Sequence, residues 1–263
     1  MNLPDTQIAV TLYNLRNYCQ TESDLDQTFD KICAMGYRAI QVSGTKLPAE
    51  VIRKQMDSHG LVCIATHEGF LEMCDTARLV DRLRTLNCDF AAMGSMPLEF
   101  RGGNGQPLFA RLDEFIATVN EKCAALKEQG IRFGYHNHDF EFMHLANGQT
   151  MLEYFYEHTD PACVCAEIDV HWVTRGGGSP ATWIRKVAGR MPVVHFKDFA
   201  RLEDGPHFCE VGEGNLDWPE ILKACRETNV RWYSIEQDRE FPGRNIFDSI
   251  KISYDNLKKM GVK

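Results

Sequence analysis

Side chains that bind metal ions and transfer protons are concentrated in four short segments in the second half of the chain. These segments are YHNHDFEF (135–142), EIDVHW (167–172), VVHFKD (193–198) and SIEQD (234–238). Each contains histidines or carboxylates, and a mixed set of these ligands suits Mn²⁺, Zn²⁺, Co²⁺ or Fe²⁺ better than Ca²⁺. A single histidine or glutamate is more often structural, but four similar segments in succession predict a common metal site.

Strand alternation indicates which of these side chains can act together. Residues two apart on a strand point to the same face, so His136 and His138 share a face. Asp169 and His171 share a face for the same reason. Either pair can point into one active-site mouth if its segment lies at the end of a strand.

The elements that position these segments are predicted by a regular alternation of β-rich runs and amphipathic stretches. The β-rich runs are 8–13, 39–44, 61–66, 90–95, 132–138, 164–170, 193–198 and 231–237. Strand–helix alternation predicts a parallel sheet, and eight such units in 263 residues predict one (β/α)₈ TIM-barrel domain over 1–263. An open doubly wound sheet is the alternative. Its glycine-rich phosphate turn is not found after the first run, which reads TLYNLRNY.

Two connections are long and rich in glycine and charged residues, at 101–109 and 199–218. In a barrel both follow strands and lie on the catalytic face, where long loops can cover a small substrate and exclude water. Arg201 in the second loop, and His67 at the end of the third strand, are candidates for binding substrate.

Composition and charge exclude several classes of protein. The formal net charge is −8, and nucleic-acid binding depends largely on Lys and Arg that neutralise phosphates, so we expect no nucleic-acid partner. No run approaches the roughly 18 apolar residues of a membrane span, and MNLPDTQIAV lacks the features of a secretory signal. We therefore expect a cytoplasmic protein without membrane contact. The 10 cysteines show no disulfide or zinc-ribbon spacing and are expected to be free thiols.

The four segments, together with MGYRAIQVSG (35–44) and VGEGNLDW (211–218), resemble the xylose-isomerase-like superfamily of TIM barrels, and within it the sugar phosphate isomerase/epimerase family. The resemblance covers essentially the whole chain. It implies a divalent metal ion, with Mn²⁺ as first choice and Zn²⁺, Co²⁺, Fe²⁺ or Mg²⁺ as alternatives. One ligand is implied from each of strands five to eight, and three of them carry over as Asp169, His195 and Glu236.

Strand five departs from the family pattern. Many relatives have Glu-Asn-His where this chain has His136-Asn137-His138. Either His136 takes over the ligand role, or Glu141 reaches back from the loop. Glu141 preserves the charge of the metal shell and is the ligand that we expect. A second departure is Gln41 on strand two, where relatives often have glutamate.

The resemblance implies an enzyme of carbohydrate metabolism that removes a proton next to a carbonyl through a metal-stabilised enediolate. The implied activity is isomerisation or epimerisation of a ketose, keto-sugar or inosose, and the missing phosphate turn favours an unphosphorylated substrate. Glu236 and Glu141 are the expected acid–base groups, with His136 and His138 as alternative bases. Further substrate-binding residues are His171 and Lys197.

Three other functions compete with this one. A lyase, dehydratase or 3-keto-glycoside-cleaving enzyme would use the same metal site and enediolate chemistry. An abasic-site endonuclease is disfavoured by the acidic net charge. A sugar-binding barrel without catalysis is disfavoured because a degenerate enzyme would tend to lose at least one ligand. Barrels of this kind often form homo-oligomers, and the sequence is compatible with one.

Overall fold

The computed structural model describes residues 4–102 and 108–263. Within these residues, eight parallel strands form the barrel: β1 (Ile8–Thr11), β2 (Ala39–Val42), β3 (Val62–Glu68), β4 (Phe90–Met93), β5 (Arg132–His136), β6 (Val164–Glu167), β7 (Val193–Phe196) and β10 (Trp232–Ile235). Their order is β6-β5-β4-β3-β2-β1-β10-β7. A parallel bridge between Asp169 and His195 links the chain after β6 to β7 and closes the cylinder. The TIM barrel predicted from the sequence is confirmed.

Helices connect the strands and cover the outside of the barrel. They are α1 (Glu22–Met35), α2 (Ala49–His59), α3 (Phe70–Cys74), α4 (Thr76–Leu86), α5 (Leu108–Glu128), α6 (Met151–His158), α7 (Val170–Arg175), α8 (Pro180–Lys186), α9 (Trp218–Glu227) and α10 (Ile246–Lys259). Short 3₁₀ helices occupy Leu12–Tyr18, Leu98–Phe100 and Phe140–Phe142. In the described part of the chain, no helix is both long and apolar enough to cross a membrane.

Local sequence signals explain where the helices begin and end. Thr21 and Asp24 form a capping box at the start of α1, which satisfies backbone N–H groups that have no partner inside the helix. Pro48 precedes α2, and Gly60 ends it with φ +65°, a left-handed conformation that favours glycine.

The interior of the barrel changes from apolar to polar along its axis. A small apolar cluster includes side chains near the N-terminal ends of the strands: Ala9, Ala39, Ile64, Ala65, Phe90, Ala92, Val193 and Trp232. The residues two positions after Ala39, Val193 and Trp232 face the same way and are Gln41, His195 and Ser234. All three are fully buried. The upper half of the barrel is therefore a buried polar layer, which is where a site can form.

An antiparallel hairpin follows β7. It consists of β8 (Asp198–Leu202) and β9 (Gly205–Cys209), and it occupies the first half of the long connection predicted at 199–218. Of the other long connection, 101–109, residues 103–107 lie outside the described residues.

The buried carboxylate of Asp198 anchors this hairpin and the loop after it. It accepts hydrogen bonds from the backbone N–H groups of Phe199 (2.8 Å), Gly212 (3.1 Å) and Gly214 (3.1 Å), and from the Trp218 indole N–H (2.6 Å). A Cβ atom at Gly214 would lie 2.2 Å from Asp198 Oδ1, so no other residue fits at that position without displacement. The Asp198 carboxylate therefore joins the hairpin to the loop and to the start of α9 through contacts that local propensity does not provide.

The variant Asp198→Ala is expected to lower the free energy of unfolding by about 3 kcal/mol, because it leaves several buried donors without an acceptor. Urea unfolding monitored by circular dichroism measures this change. Asp204→Ala is the matched control, since Asp204 is exposed on the same hairpin and accepts a hydrogen bond from His207 at its surface. The control should change stability by less than about 0.5 kcal/mol. Equal loss in the two variants would show that Asp198 does not organise the loop.

Candidate metal centre

Four ligand-type side chains converge at the C-terminal end of the barrel: His136, Asp169, His195 and Glu236. One ligand atom from each lies within 4.8 Å of the others, and all four residues are buried. We call this set the upper group. Three of its members are the residues expected as ligands from strands six to eight, and the fourth is His136.

Closure of the barrel brings this group together. His195 N donates to Ile168 O at 2.9 Å, beside the Asp169–His195 bridge. The Asp169 side chain accepts from Trp172 N at 3.0 Å and so caps α7, while Asp169 N donates to Asn137 Oδ1 at 3.0 Å. The position of Asp169 is therefore set by both neighbouring strands and by the helix that follows it.

Glu141, the expected strand-five ligand, does not join this group. It lies in the 3₁₀ helix Phe140–Phe142, and its carboxylate accepts from the Tyr135 hydroxyl (2.5 Å) and from His138 N (2.8 Å). Burial raises the pKa of Glu141 to about 7, partly offset by these hydrogen bonds. Both oxygens of Glu141 have hydrogen-bond partners, and His136 is the strand-five residue that lies in the upper group.

A second set of ligand-type atoms lies directly below the first. This lower group consists of His67, His136, Glu167 and His195, and it shares both His136 and His195 with the upper group. Glu167 is fully buried and accepts from Gln41 Nε2 (2.9 Å) and His67 Nε2 (2.6 Å). The same carboxylate lies 3.3 Å from His195 Nε2 and 3.4 Å from His136 Nδ1. Glu167 is not among the site residues expected from the sequence, although strand alternation places it on the same face as Asp169 two residues later.

The buried Lys197 ammonium balances carboxylates of the site. Lys197 Nζ lies 3.1 Å from Asp169 Oδ2, 3.5 Å from Glu236 Oε1 and 3.1 Å from Asp238 Oδ1. Burial alone would lower the pKa of Lys197, but these carboxylates outweigh it and raise the pKa above its ordinary value. Lys197 therefore stays charged and is fully engaged by acidic partners.

The histidines divide into neutral and charged forms. Burial, with the charge of Lys197 as the next cause, lowers the pKa of His138 to about 4 and that of His171 to about 3. Burial and the neighbouring His195 also lower the pKa of His136. For His195, burial acts downward, but Glu167 and Glu236 outweigh it and raise the pKa to about 10. His195 Nδ1 is hydrogen-bonded to Glu236.

A cavity of about 430 Å³ opens beside the upper group. Its lining consists of Tyr13, Ser43, His67, Glu68, Gly69, Gly94, Ser95, His136, His138, Glu236 and Asp238. Of the expected substrate-binding residues, His67 is in this wall. A larger cavity of about 570 Å³ lies at the other end of the barrel, near Cys63, Arg132 and Trp232 at the starts of their strands, and away from both groups.

Two expected substrate-binding residues lie elsewhere. His171 is buried and stacks on Phe208 of the hairpin, with ring centroids 4.8 Å apart. Among the described residues, neither ring nitrogen of His171 has a hydrogen-bond partner. Arg201 is exposed on β8. Among the described residues, neither His171 nor Arg201 lines the cavity of about 430 Å³.

The upper group fits a divalent metal ion. Asp169 Oδ2 is buried without a hydrogen-bond partner among the described residues, although the Lys197 ammonium lies 3.1 Å away. Two carboxylates and two imidazoles form a donor set that Mn²⁺, Zn²⁺, Co²⁺ and Fe²⁺ accept. TIM barrels with metal-ligand side chains at the C-terminal ends of their strands form a known class of proteins. The xylose isomerase-like TIM barrel family matches residues 29–256, and the chain belongs to that family.

Solved structures share this fold over nearly the whole chain. A sugar phosphate isomerase/epimerase from Parabacteroides distasonis aligns with TM-score 0.80 and 21% identity, covering 97% of this chain and 94% of the other. A D-allulose 3-epimerase from Methylomonas sp. aligns with TM-score 0.74 and 11% identity, covering 98% and 99%. A probable 3-DHS dehydratase from Bacillus anthracis aligns with TM-score 0.70 and 13% identity, covering 96% and 98%. No curated protein matches the sequence significantly.

Proposed function

We propose that the protein is a cytoplasmic, metal-dependent isomerase or epimerase of an unphosphorylated ketose, keto-sugar or inosose. The observation that carries this proposal is the convergence of His136, Asp169, His195 and Glu236 beside a cavity of about 430 Å³. The structural relatives support it, since they include sugar epimerases.

In this proposal the upper group holds the metal ion, and Mn²⁺ is the ion that we favour. A divalent ion there would polarise a substrate carbonyl and stabilise the enediolate that forms after proton removal. The chain supplies the remaining parts, which are a base, groups that hold the substrate, and a charge that keeps the base ionised.

Glu236 is the proposed base. It lines the cavity and belongs to the upper group, so its carboxylate would face a substrate bound in the cavity. Burial alone would raise the pKa of Glu236, but Lys197 and His195 outweigh it and hold the pKa well below its ordinary value. The carboxylate is therefore ionised at neutral pH and ready to accept the proton next to the carbonyl.

His138 is the proposed second proton carrier. It lines the cavity and packs against Trp172, with ring centroids 5.4 Å apart. Its low pKa keeps the ring neutral, so it can donate a hydrogen bond to a substrate oxygen or accept a proton from one. His67 in the same wall is proposed to bind a substrate hydroxyl.

The cavity wall also supports an uncharged substrate. Among the described residues that line it, there is neither lysine nor arginine. Lys197 lies behind the wall and is paired with Asp169 and Asp238. A phosphate group would meet Glu68, Glu236 and Asp238 without a free cation, so a neutral sugar fits better.

A lyase or dehydratase is the second candidate, and one observation favours it. In the upper group a neutral His136 stands at the strand-five position, so Glu236 is the one member that combines a carboxylate with access to the cavity. A single base suits elimination, in which Glu236 would take the proton next to the carbonyl and return it to the departing oxygen, which leaves as water. The dehydratase among the structural relatives supports this alternative.

Turnover in D₂O separates these functions. Enzyme loaded with Mn²⁺ is incubated with ketoses, inososes and 3-keto-glycosides, and the products are followed by NMR and mass spectrometry. An isomerase or epimerase is expected to give an isomeric product with deuterium next to the carbonyl, while a lyase would release water or an aglycone. Absence of both exchange and product with all three classes, for protein that binds Mn²⁺, would reject the proposed activity.

A further inference from the structure

We propose that Gln41 and Glu167 are positioning residues that fix which ring nitrogen of His195 faces the metal. This inference rests on the metal site proposed above and adds a pair of residues that do not touch the ion. Both residues are buried inside the barrel, on β2 and at the end of β6.

A continuous chain of hydrogen bonds connects the pair to His195. Gln41 Nε2 donates to Glu167 Oε1 at 2.9 Å, and His195 Nε2 pairs with Gln41 Oε1 at 2.7 Å. Ser234 Oγ donates to the same Gln41 oxygen at 2.9 Å. The other Glu167 oxygen accepts from His67 Nε2 at 2.6 Å. Both polar atoms of the Gln41 amide are therefore hydrogen-bonded: Nε2 to Glu167, and Oε1 to His195 and Ser234.

The direction of this chain follows from the acceptor-only nature of an ionised carboxylate. Glu167 requires a donor from Gln41, so the Gln41 amide must turn its NH₂ toward Glu167. Its oxygen then faces His195 Nε2, and an oxygen there requires a proton on that nitrogen. Nε2 is thereby committed to the Gln41 oxygen, and Nδ1 is hydrogen-bonded to Glu236 on the side of the upper group. A metal ion bound by the upper group would take the place of the proton on Nδ1.

The same atoms disfavour a second metal ion in the lower group. An ion there would need nitrogen ligands from His136 and His195, which also belong to the upper group. Two ions at once would require both rings to lose both N–H protons and act as bridging imidazolates. Hydrogen-bonded partners behind metal-bound histidines commonly fix their orientation, and Glu167 with Gln41 fills that role for His195.

A reciprocal exchange of the two side chains tests the inference. Gln41→Glu places two carboxylates where the amide and Glu167 are now 2.9 Å apart. Glu167→Gln removes the acceptor that orients the amide. The double variant Gln41→Glu/Glu167→Gln restores one amide and one carboxylate, and it again offers an oxygen to His195 Nε2.

Mn²⁺ dissociation constants, measured by competition with a chromophoric chelator, are the first readout. Each single variant is expected to bind Mn²⁺ about 10- to 100-fold more weakly than the wild type. The double variant is expected to recover to within about fivefold, because the two positions are coupled rather than additive. Single variants that stay within about twofold of the wild type, or a double variant no better than the weaker single one, would overturn the inference.

The tautomer itself is the second readout and needs no variant. In Zn²⁺-loaded protein labelled with ¹⁵N-histidine, His195 is expected to show a protonated Nε2 and a metal-bound Nδ1. A protonated Nδ1 would overturn the inference even if the single variants fail to fold.

Glu210→Gln is the matched control for loss of a buried carboxylate, since Glu210 bonds to Ser249 and Arg244 outside the site. It should bind Mn²⁺ as the wild type does.

These readouts are independent of the proposed reaction. Wild-type protein that binds Mn²⁺ with the expected tautomer but converts no sugar would leave the positioning role intact and reject the function. Active enzyme whose affinity for Mn²⁺ is unchanged by either substitution would reject the positioning role and leave the function intact.

Discussion

The variant Glu236→Gln is expected to lower kcat by about 10³-fold or more, in the range that loss of a general base produces. Glutamine keeps the size of the side chain and one oxygen near His195, so the barrel should stay folded. It cannot accept the substrate proton, and it removes one of the carboxylates that Lys197 balances. Steady-state kinetics on the substrate identified in the D₂O screen, with Mn²⁺ at saturation, measures the effect.

Glu240→Gln is the matched control for this variant. Glu240 lies four residues later, is exposed, and accepts a hydrogen bond from Ile246 N. Its kcat should be within about twofold of the wild type, because surface substitutions rarely perturb a buried site. Full activity in Glu236→Gln would remove Glu236 from its role as base, and His138 would then be the next residue to test.

The strands and helices were predictable because their signals are local. Apolar runs such as AIQVSG and VVHFKD contain the β2 and β7 strands, and the alternation of eight units determined the barrel. The sequence predicts only a long loop where the β8–β9 hairpin forms. Its segment carries Gly205 and Pro206, and the buried Asp198 holds the loop that follows through contacts up to 20 residues away. No local sequence pattern predicts that a buried carboxylate will hold a loop in this way.

Glu141 and His136 show what charge counting leaves out. Charge balance favours Glu141, because it would preserve the negative charge of the metal shell. That argument treats the carboxylate as free, but Tyr135 and the His138 backbone N–H occupy both of its oxygens. The hydroxyl of Tyr135 could not be placed from sequence because it depends on how the chain turns after β5.

The role proposed for Glu167 depends on long-range geometry of another kind. Period-two spacing places Glu167 on the same face as Asp169, which was visible in the sequence. Its partner Gln41, however, comes from β2, and the two side chains meet only because the sheet closes into a cylinder. The glutamine at position 41, where relatives often have glutamate, has no explanation in the local sequence. A carboxylate facing it supplies one, since glutamate at position 41 would repel Glu167.

Replacing Asp169 is expected to have the second large effect, which is loss of the metal ion. Asp169→Ala should weaken Mn²⁺ binding by at least about 100-fold, more than loss of a residue that only orients a ligand. Alanine also removes the cap of α7, where Asp169 accepts from Trp172 N at 3.0 Å. Asp169→Asn keeps an oxygen for that cap, so it separates loss of the ligand charge from loss of the helix start.

Elemental analysis and chelator competition measure both variants against the wild type. Asp217→Asn is the matched control, because Asp217 caps α9 by accepting from Glu220 N and belongs to neither metal-binding group. It should retain wild-type metal content. If Asp169→Asn is folded and still binds Mn²⁺ as tightly as the wild type, Asp169 is not a ligand. The buried Asp169 Oδ2 would then serve the ion pair with Lys197 Nζ, 3.1 Å away, and not a metal ion.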